Sequence, residues 1–347
     1  MAAAEEIAQQ LPPLLERLVH REEIGADGAR WLGDRMMEGA LSGAQVGAVL
    51  ALLRAKGETV AELAGLVGSM RDHSLQVELD RPALDTCGTG GDRLGTFNIS
   101  TVAAMVVAGA GVAVAKHGNR AASSRCGSAD VLEALGVRID LPPEGVAACV
   151  REAGVGFMFA PRYHPAMRHV AAPRAELGIR TVFNILGPLS NPARVPFQAL
   201  GVADPALARR MAGVLALLGG ARALVFSGPG GLDEVGLDGP SHCWRVEGGE
   251  VFEEWIDPTG LGLAPAAPAA LAGGGPEANA RLALSVLEGE PGPRADVVAL
   301  NAAAGLTAAG RVRDLAEGIA LARESVASGA ALRALERLRQ ASQGWQG

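Results

Sequence analysis

Residues 85–128 read DTCGTGGDRLGTFNISTVAAMVVAGAGVAVAKHGNRAASSRCGS, with two glycine-rich turns on either side of one apolar segment. The first turn is Gly88-Thr89-Gly90-Gly91-Asp92, and the second is Lys116-His117-Gly118-Asn119-Arg120. Between them, apolar residues recur at helical spacing over residues 99–107. A short strand, a glycine-rich turn and a helix in this order are typical of a phosphate site at a helix N-terminus. The stretch therefore predicts a two-sided phosphate cradle in an α/β fold.

The chain on either side of this stretch follows two different patterns. Residues 1–78 show helical periods and no strand signal, so we expect a small all-helical domain there, joined by part of 164–190. From residue 79 to 347, short apolar runs alternate with helical periods, which indicates repeated crossovers. The predicted strands are 83–85, 112–115, 156–159, 198–202 and 223–227, followed by a hairpin at 242–256. The fold class is therefore α/β: a small all-helical domain and a large α/β domain with a central, mostly parallel sheet flanked by helices.

Composition narrows the classes of protein to which such a cradle belongs. The formal net charge of -7 over 347 residues disfavours a nucleic-acid partner, whose binding depends on phosphate neutralisation. No apolar run reaches the roughly 18 residues of a membrane span, and no signal-peptide pattern opens the chain. The four cysteines are far apart and show no zinc-site spacing. We expect a cytoplasmic protein with small anionic ligands and no membrane partner.

The two turns supply complementary chemistry for an anion. Glycines let backbone N–H groups approach a phosphate closely, and the helix that begins near Asn98 adds unsatisfied donors and a favourable dipole. Lys116 adds a point charge, and the hydroxyl groups of Ser123, Ser124 and Ser128 add donors. Taken alone, the first turn also fits an ordinary turn and the second a solvated basic loop. Their emergence at the same edge of a parallel sheet favours a shared ligand.

Six motifs in fixed order give the chain a family resemblance. They are Asp-Thr-x-Gly-Thr-Gly-Gly-Asp at 85–92, Asn-Ile-Ser-Thr at 98–101, Lys-His-Gly-Asn-Arg at 116–120, NILGPL at 184–189, Leu-Asp-Glu at 232–234 and LNAAAGL at 300–306. In this order they resemble the anthranilate phosphoribosyltransferases over nearly the whole chain. The resemblance implies a transferase of tryptophan biosynthesis, a magnesium-dependent glycosyltransferase that moves a pentosyl group. It would transfer phosphoribosyl from 5-phosphoribosyl 1-diphosphate to the amino group of anthranilate and release diphosphate.

The resemblance also implies roles for individual residues. The residues that it assigns to binding of the ribosyl donor are Gly88, Gly91, Asp92, Thr96, Asn98, Ile99, Ser100, Thr101, Lys116, His117, Gly118, Asn119, Arg120, Ala121, Ala122, Ser123, Ser124 and Ser128. It assigns anthranilate to Gly88, Asn119, Arg174 and Pro188, and Mg²⁺, expected as two ions, to Ser100, Asp233 and Glu234. Catalysis would rest on Lys116, His117 and Arg174. His117 is expected to position the acceptor rather than act as a base, because an aromatic amine is already neutral near physiological pH.

Two alternatives stay open from the sequence. One is an enzyme like the pyrimidine nucleoside phosphorylases, which share the helical-plus-α/β architecture and a glycine-rich phosphate loop. The other is a non-catalytic homologue that binds nucleic acid. The chain departs from the family pattern at Cys126, where serine is usual, and at Gly236, where a small hydroxyl residue is common. The family further implies a homodimer formed through the N-terminal helices.

Overall fold

The fold consists of two compact units, each formed by two separate segments of the chain. The computed structural model describes residues 2–90, 92, 94–121, 124–219 and 222–346. One unit comprises Met1–Leu75 and Tyr163–Ser190, and the other comprises Gln76–Arg162 and Asn191–Gly347. Gly91, Ala122 and Ser123, all predicted to bind the ribosyl donor, lie outside the described residues. The chain therefore crosses from one unit to the other after residues 75, 162 and 190.

Strands and helices alternate through much of the chain. The strands are β1 Leu84–Gly88, β2 Val114–Gly118, β3 Val155–Phe159, β4 Phe197–Gly201, β5 Arg222–Ser227, β6 Ser241–Glu247 and β7 Glu250–Ile256. The helices are α1 Ala2–Val19, α2 Gly25–Met37, α3 Gly43–Lys56, α4 Val60–Asp72, α5 Ile99–Gly109, α6 Ser128–Ala134, α7 Pro143–Ala153, α8 Ala160–Tyr163, α9 Arg168–Leu177, α10 Phe183–Leu189, α11 Pro205–Leu218, α12 Pro276–Leu287, α13 Pro293–Ala308, α14 Leu315–Ala327 and α15 Ala330–Gly344.

The first unit is helical, and its helix ends are set by local side chains. Ser42 and Thr59 each begin a helix with a capping box, in which the side chains of Gln45 and Glu62 bond back to the cap. Helices α2 and α4 pack against each other through buried aliphatic side chains. The unit contains α9 and α10, which carry Arg174 and Pro188. Within the described residues of this unit there is no strand.

The second unit is built on one sheet in the order β3-β2-β1-β4-β5-β6-β7. The first five strands in that order are parallel, and β6 and β7 continue the sheet antiparallel. Helices α5, α11 and α13 pack on this sheet. The strand order reverses at β1, which lies between β2 and β4, and ligands bind at such switch points in open α/β sheets. The predicted fold class is confirmed.

The sequence placed some motif residues in turns that the structure places in strands. β1 runs on to Gly88 and β2 to Gly118, beyond the predicted ends at 85 and 115. Lys116 and His117 are consequently buried strand residues, with 3% and 7% of their surface exposed. The predicted strands end too early because polar side chains are costly to bury without hydrogen-bond partners, and sequence alone does not show those partners. The predicted hairpin is present as β6 and β7, and none of the described helices is long and apolar enough to span a membrane.

Candidate active site

Asp233 and Glu234 lie on an irregular segment after β5, at the carboxyl ends of the parallel strands. Gly201 ends β4, and a Cβ atom on it would lie 2.5 Å from the carbonyl carbon of Asp233 and closer still to the oxygen. Gly88 ends β1, and a Cβ atom there would lie 2.5 Å from Asp233 Oδ2. Only glycine leaves room for this approach. The two glycines at the strand ends therefore allow the acidic segment to lie directly against the sheet edge.

Each carboxylate accepts one backbone N–H, from Gly90 of the first turn or from Ser100 of α5. The Gly90 N–H donates to Asp233 Oδ2 at 2.6 Å, and the Ser100 N–H donates to Glu234 Oε1 at 3.0 Å. Ser100 lies in the first turn of α5, where unsatisfied N–H groups and the helix dipole favour negative charge. The structure thus brings the three predicted Mg²⁺ ligands, Ser100, Asp233 and Glu234, into one place.

Lys116 reaches the same place from β2. Its Nζ donates to the carbonyl oxygen of Thr86 and, at 3.3 Å, to Ser100 Oγ. Thr86 Oγ1 in turn donates to the carbonyl oxygen of Ser100 at 3.1 Å. A buried ammonium group is costly unless partners compensate it, and these contacts supply part of that compensation. Lys116 therefore presents a positive charge beside the predicted metal ligands.

The electrostatics of the acidic pair favour a cation. Burial raises the pKa of Asp233, and repulsion from Asp92 raises it further. Burial likewise raises the pKa of Glu234, with further repulsion from Asp233, while Lys116 opposes the shift. Asp92 Oδ2 is buried and accepts no hydrogen bond from any residue that the structure describes. A cation would relieve this repulsion, and two carboxylates with a hydroxyl group are the hard oxygen donors that Mg²⁺ prefers.

These donors suit an ion that is shared with a ligand rather than enclosed by protein. Across the described ranges, no group of three or more His, Cys, Asp or Glu side chains is arranged to hold a metal ion. Mg²⁺ usually keeps one or two carboxylates and takes its other oxygens from water and substrate phosphates. The residues present therefore fit Mg²⁺ bound together with a phosphate ligand.

Asn119, Arg120 and Ala121, which follow β2, contact the start of α6. Asp130 Oδ2 accepts the N–H groups of Ala121 at 2.9 Å and Gly127 at 2.8 Å. The guanidinium group of Arg120 bonds to Asp130 and Glu133. Ser128 Oγ donates to the Asn119 carbonyl oxygen at 3.3 Å, and Gly127 is the N-cap of the helix. Because Arg120 is engaged in this way, its predicted contact with the ribosyl donor stays a prediction.

Asn98, just before α5, bonds to Cys126, just before α6, and a residue that sequence reasoning missed holds Asn98 there. Asn98 Nδ2 donates to the Cys126 carbonyl oxygen at 3.2 Å. Asn279 of α12 is 1% exposed, donates to Asn98 Oδ1 at 2.8 Å and accepts the Gly274 N–H at 2.7 Å. The only sequence signal was one asparagine in an otherwise apolar helix face. It indicated neither a partner nor a site.

Asp85 is a second residue whose role the sequence did not show, although it opens the first motif. Its side chain is fully buried; Oδ1 accepts the His117 N–H at 3.2 Å, and Oδ2 accepts Asn191 Nδ2 at 2.8 Å. Asn191 also donates to the Ala115 carbonyl oxygen at 2.9 Å. Burial raises the pKa of Asp85 to about 6, although Lys116 and these hydrogen bonds act in the opposite direction. Asp85 thus ties β1 to the part of β2 that carries Lys116 and His117.

The predicted anthranilate residues are divided between the two units. Gly88 and Asn119 belong to the α/β unit, whereas Arg174 and Pro188 belong to the helical unit. The Arg174 guanidinium lies 5.2 Å from the centre of the Phe183 ring, and burial lowers the pKa of Arg174. The grouping of these four residues around anthranilate stays a prediction.

The departure at Gly236 has a structural reason. The Gly236 N–H donates to Ser241 Oγ at 3.1 Å, and a Cβ atom at Gly236 would lie 2.8 Å from Pro229 Cδ. A hydroxyl residue therefore does not fit this position without a shift of the turn that contains Pro229. The glycine keeps the backbone just beyond the acidic pair in close contact with that turn.

Known proteins match both parts of the chain. Residues 12–74 match the helical bundle domain of the glycosyl transferase family, and residues 80–332 match its a/b domain. The chain is 53% identical over 325 residues to the anthranilate phosphoribosyltransferase of Pelotomaculum thermopropionicum, covering 93% of this chain and 94% of that protein.

Solved structures agree with these matches. The crystal structure of anthranilate phosphoribosyltransferase from Thermus thermophilus superposes with a TM-score of 0.90 at 47% identity, covering 95% of this chain and 99% of that one. The enzyme from Saccharomyces cerevisiae in complex with PRPP and Mg superposes with a TM-score of 0.87 at 30% identity, covering 96% and 98%. The resemblance read from the sequence motifs is thereby confirmed. The chain belongs to the anthranilate phosphoribosyltransferase family.

Proposed function

We propose that this chain transfers the phosphoribosyl group of 5-phosphoribosyl 1-diphosphate to the amino group of anthranilate. The products are N-(5-phosphoribosyl)anthranilate and diphosphate. The observation that carries the proposal is the convergence of Asp233, Glu234, the Gly90 and Ser100 N–H groups and Lys116 at one edge of the sheet. This edge offers both anion donors and cation ligands, as a metal-complexed diphosphate requires. The similarity to anthranilate phosphoribosyltransferases over nearly the whole chain supports the choice of substrates.

The reaction needs no covalent intermediate with the protein. The bond between ribose C1 and the diphosphate oxygen breaks and leaves its electron pair on diphosphate. The nitrogen lone pair of anthranilate forms the new bond to C1, and the proton released from nitrogen passes to water. Positive charge develops on the ribose and negative charge on the leaving group, so fixed donors at the diphosphate lower the barrier. We assign this task to Lys116 and to the Gly90 and Ser100 N–H groups, which donate to Asp233 and Glu234 before the ribosyl donor binds.

Asp233, Glu234 and Ser100 would hold Mg²⁺, and we propose two ions per site. Mg²⁺ bound with the donor would neutralise the charge that develops on the departing diphosphate. Before the donor binds, the Gly90 and Ser100 N–H groups fix the two carboxylates, so that they do not swing into solvent. The yeast relative was solved in complex with PRPP and Mg, which supports this assignment.

Anthranilate would be held by Arg174, Asn119, Gly88 and Pro188, with the arginine pairing the carboxylate of the acid. His117 would help to position the acceptor. We expect His117→Ala to lower kcat less than Glu234→Gln, because the amine needs no base while the leaving group needs charge stabilisation. Steady-state kinetics on the two variants checks this order, and an equal or larger loss at His117 would contradict it.

The decisive assay follows anthranilate fluorescence with the purified chain and the ribosyl donor, with and without Mg²⁺. We expect the signal to fall only when donor and Mg²⁺ are both present. A signal that persists under every condition overturns the proposal. Phosphorolysis of a pyrimidine nucleoside by inorganic phosphate, or a salt-sensitive gel shift with nucleic acid, would instead support one of the alternatives.

We further propose that the chain works as a cytoplasmic homodimer formed through its N-terminal helices. Apolar helix faces and the family resemblance support the dimer. The net charge of -7 favours solubility and so supports the cytoplasmic location. Light scattering coupled to size exclusion measures the mass directly. A mass of one chain at the concentrations used for activity would contradict the dimer.

A further inference from the structure

One motif of the chain has no place in the proposed reaction: the LNAAAGL stretch at 300–306, which lies within α13. Its asparagine, Asn301, is 3% exposed. Gly305, one turn later, lets the helix lie close to β1, because a Cβ atom there would lie 2.8 Å from Leu84 Cδ2. The close approach of α13 to the sheet brings Asn301 to the segment that follows β5.

Asn301 makes a two-point contact with one residue of that segment. Its Oδ1 accepts the Val235 N–H at 2.9 Å, and its Nδ2 donates to the Val235 carbonyl oxygen at 3.0 Å. Nδ2 also donates to the Val297 carbonyl oxygen at 2.9 Å, which fixes the side chain on its own helix. An amide side chain carries the same donor and acceptor as a strand backbone, so Asn301 serves Val235 as a neighbouring strand would.

Val235 follows Glu234 directly, and the residues around it form neither helix nor strand. The acidic pair therefore has no hydrogen-bond ladder to fix it, and its position depends on individual anchors. Buried Asn301 is one of these anchors, and its hydrogen bonds go to Val235 and Val297 rather than to the two carboxylates.

We infer that Asn301 is a positioning residue for the acidic pair: it fixes the backbone at Val235, so that Asp233 and Glu234 point toward the metal-bound donor. The inference rests on the proposed function of the site. Residues that orient metal ligands without touching the metal contribute about 10–100-fold to metal affinity or activity. Loss of the amide should therefore weaken metal binding, although no ligand atom is removed.

The test measures Mn²⁺ binding by electron paramagnetic resonance, with the ribosyl donor present and anthranilate absent, so that no turnover occurs. We expect Asn301→Ala to bind Mn²⁺ about 10-fold more weakly than the wild-type chain. In turnover assays, kcat/KM for the donor should fall by a similar factor while KM for anthranilate stays constant. Asn301→Ser, which is smaller yet still polar, gives a second variant in case the alanine variant does not fold.

The control is Ser325→Ala in α14. Ser325 is also 3% exposed, and its hydroxyl donates to the Val106 carbonyl oxygen at 2.9 Å, away from the acidic pair. This variant should lose stability without a change in Mn²⁺ affinity. If the Asn301 variants lose thermal stability but keep Mn²⁺ affinity within about threefold of the wild-type chain, Asn301 is merely structural and the inference is overturned. If the proposed function itself is wrong, the wild-type chain will bind Mn²⁺ with the donor but will consume no anthranilate, which distinguishes this failure from that of the inference.

Discussion

Gly201→Ala tests whether the position of Asp233 against the sheet edge matters for catalysis. In the native chain Gly201 ends β4, and an added Cβ atom would lie 2.5 Å from the Asp233 carbonyl carbon. An ordinary contact between carbon atoms begins near 3.4 Å, so the Asp233 backbone must retreat by at least about 1 Å, and its carbonyl oxygen, which lies closer still to the added methyl group, by more. The methyl group meets backbone rather than the end of a flexible side chain, and rotation of a side chain does not relieve the overlap.

The expected cost follows from that displacement. A misplacement of about 1 Å in a catalytic constellation lowers activity about 100-fold, and we expect this loss in kcat/KM for the ribosyl donor. Overpacking at a buried site also lowers the free energy of unfolding, by about 1–3 kcal/mol. The anthranilate fluorescence assay, run across Mg²⁺ concentrations, gives the first quantity, and urea unfolding gives the second. A higher Mg²⁺ requirement in the variant would locate the damage at the acidic pair.

Gly260→Ala is the matched control, because a Cβ atom at Gly260 meets no atom within 4 Å. This variant should keep its activity and its Mg²⁺ requirement. If Gly201→Ala is folded and retains kcat/KM within about threefold of the wild-type chain, the close approach of Asp233 has no catalytic role. The explanation given for the glycine at the end of β4 would then be wrong.

Two further predictions concern buried charges. Glu62→Gln should lower the free energy of unfolding in urea by about 3–5 kcal/mol, because it leaves the Lys56 ammonium, 2.7 Å from the carboxylate, buried without a counter-charge. The control is Glu38, whose carboxylate is exposed and pairs with Arg35. Glu38→Gln should lower the free energy of unfolding by less than about 1 kcal/mol. For Asp85, burial raises the pKa from 3.8 to about 6, so proton binding favours the folded state. The stability of the wild-type chain relative to Asp85→Asn should be highest below about pH 4, fall on the order of 3 kcal/mol as the pH rises to about 6, and then stay level. A pH-independent difference between about pH 4 and pH 7 would contradict this account.

The features predicted from sequence are those with a local signal. The glycine-rich turns, the Asn-Ile-Ser-Thr helix start and the alternation of apolar runs each occupy consecutive residues. From them the α/β fold class and the start of α5 could be predicted. Asn279 has no such signal, since one polar residue on an apolar helix has no spacing to interpret, and the LNAAAGL motif that contains Asn301 indicates a family but no partner for the asparagine. The partners of Asn301 and Asn279, Val235 and Asn98, lie 66 and 181 residues away. Only the folded chain shows which polar groups these side chains satisfy.

Burial of charge was hard to predict for the same reason. Lys116 was expected in an exposed turn because lysine is rarely buried without partners. Its partners are the Thr86 carbonyl oxygen and Ser100 Oγ, and the second becomes available only when α5 begins beside β2. The motif therefore indicated a lysine close to the predicted metal ligands but not its place in the strand.

The site also implies that the ribosyl donor and Mg²⁺ bind together. The Gly90 and Ser100 N–H groups, which we assign to the diphosphate, already donate to Asp233 and Glu234. A phosphate that takes these donors must displace or approach two carboxylates, which repel it unless a cation lies between them. We therefore expect the donor to bind at least about 10-fold more tightly with Mg²⁺ than in EDTA, and Mg²⁺ to bind more tightly with the donor by the same factor. Isothermal titration measures both, and Glu234→Gln, which removes one of the repelling charges, should narrow the difference. Equal donor affinity with and without Mg²⁺ would show that the carboxylates and the diphosphate do not share this edge of the sheet.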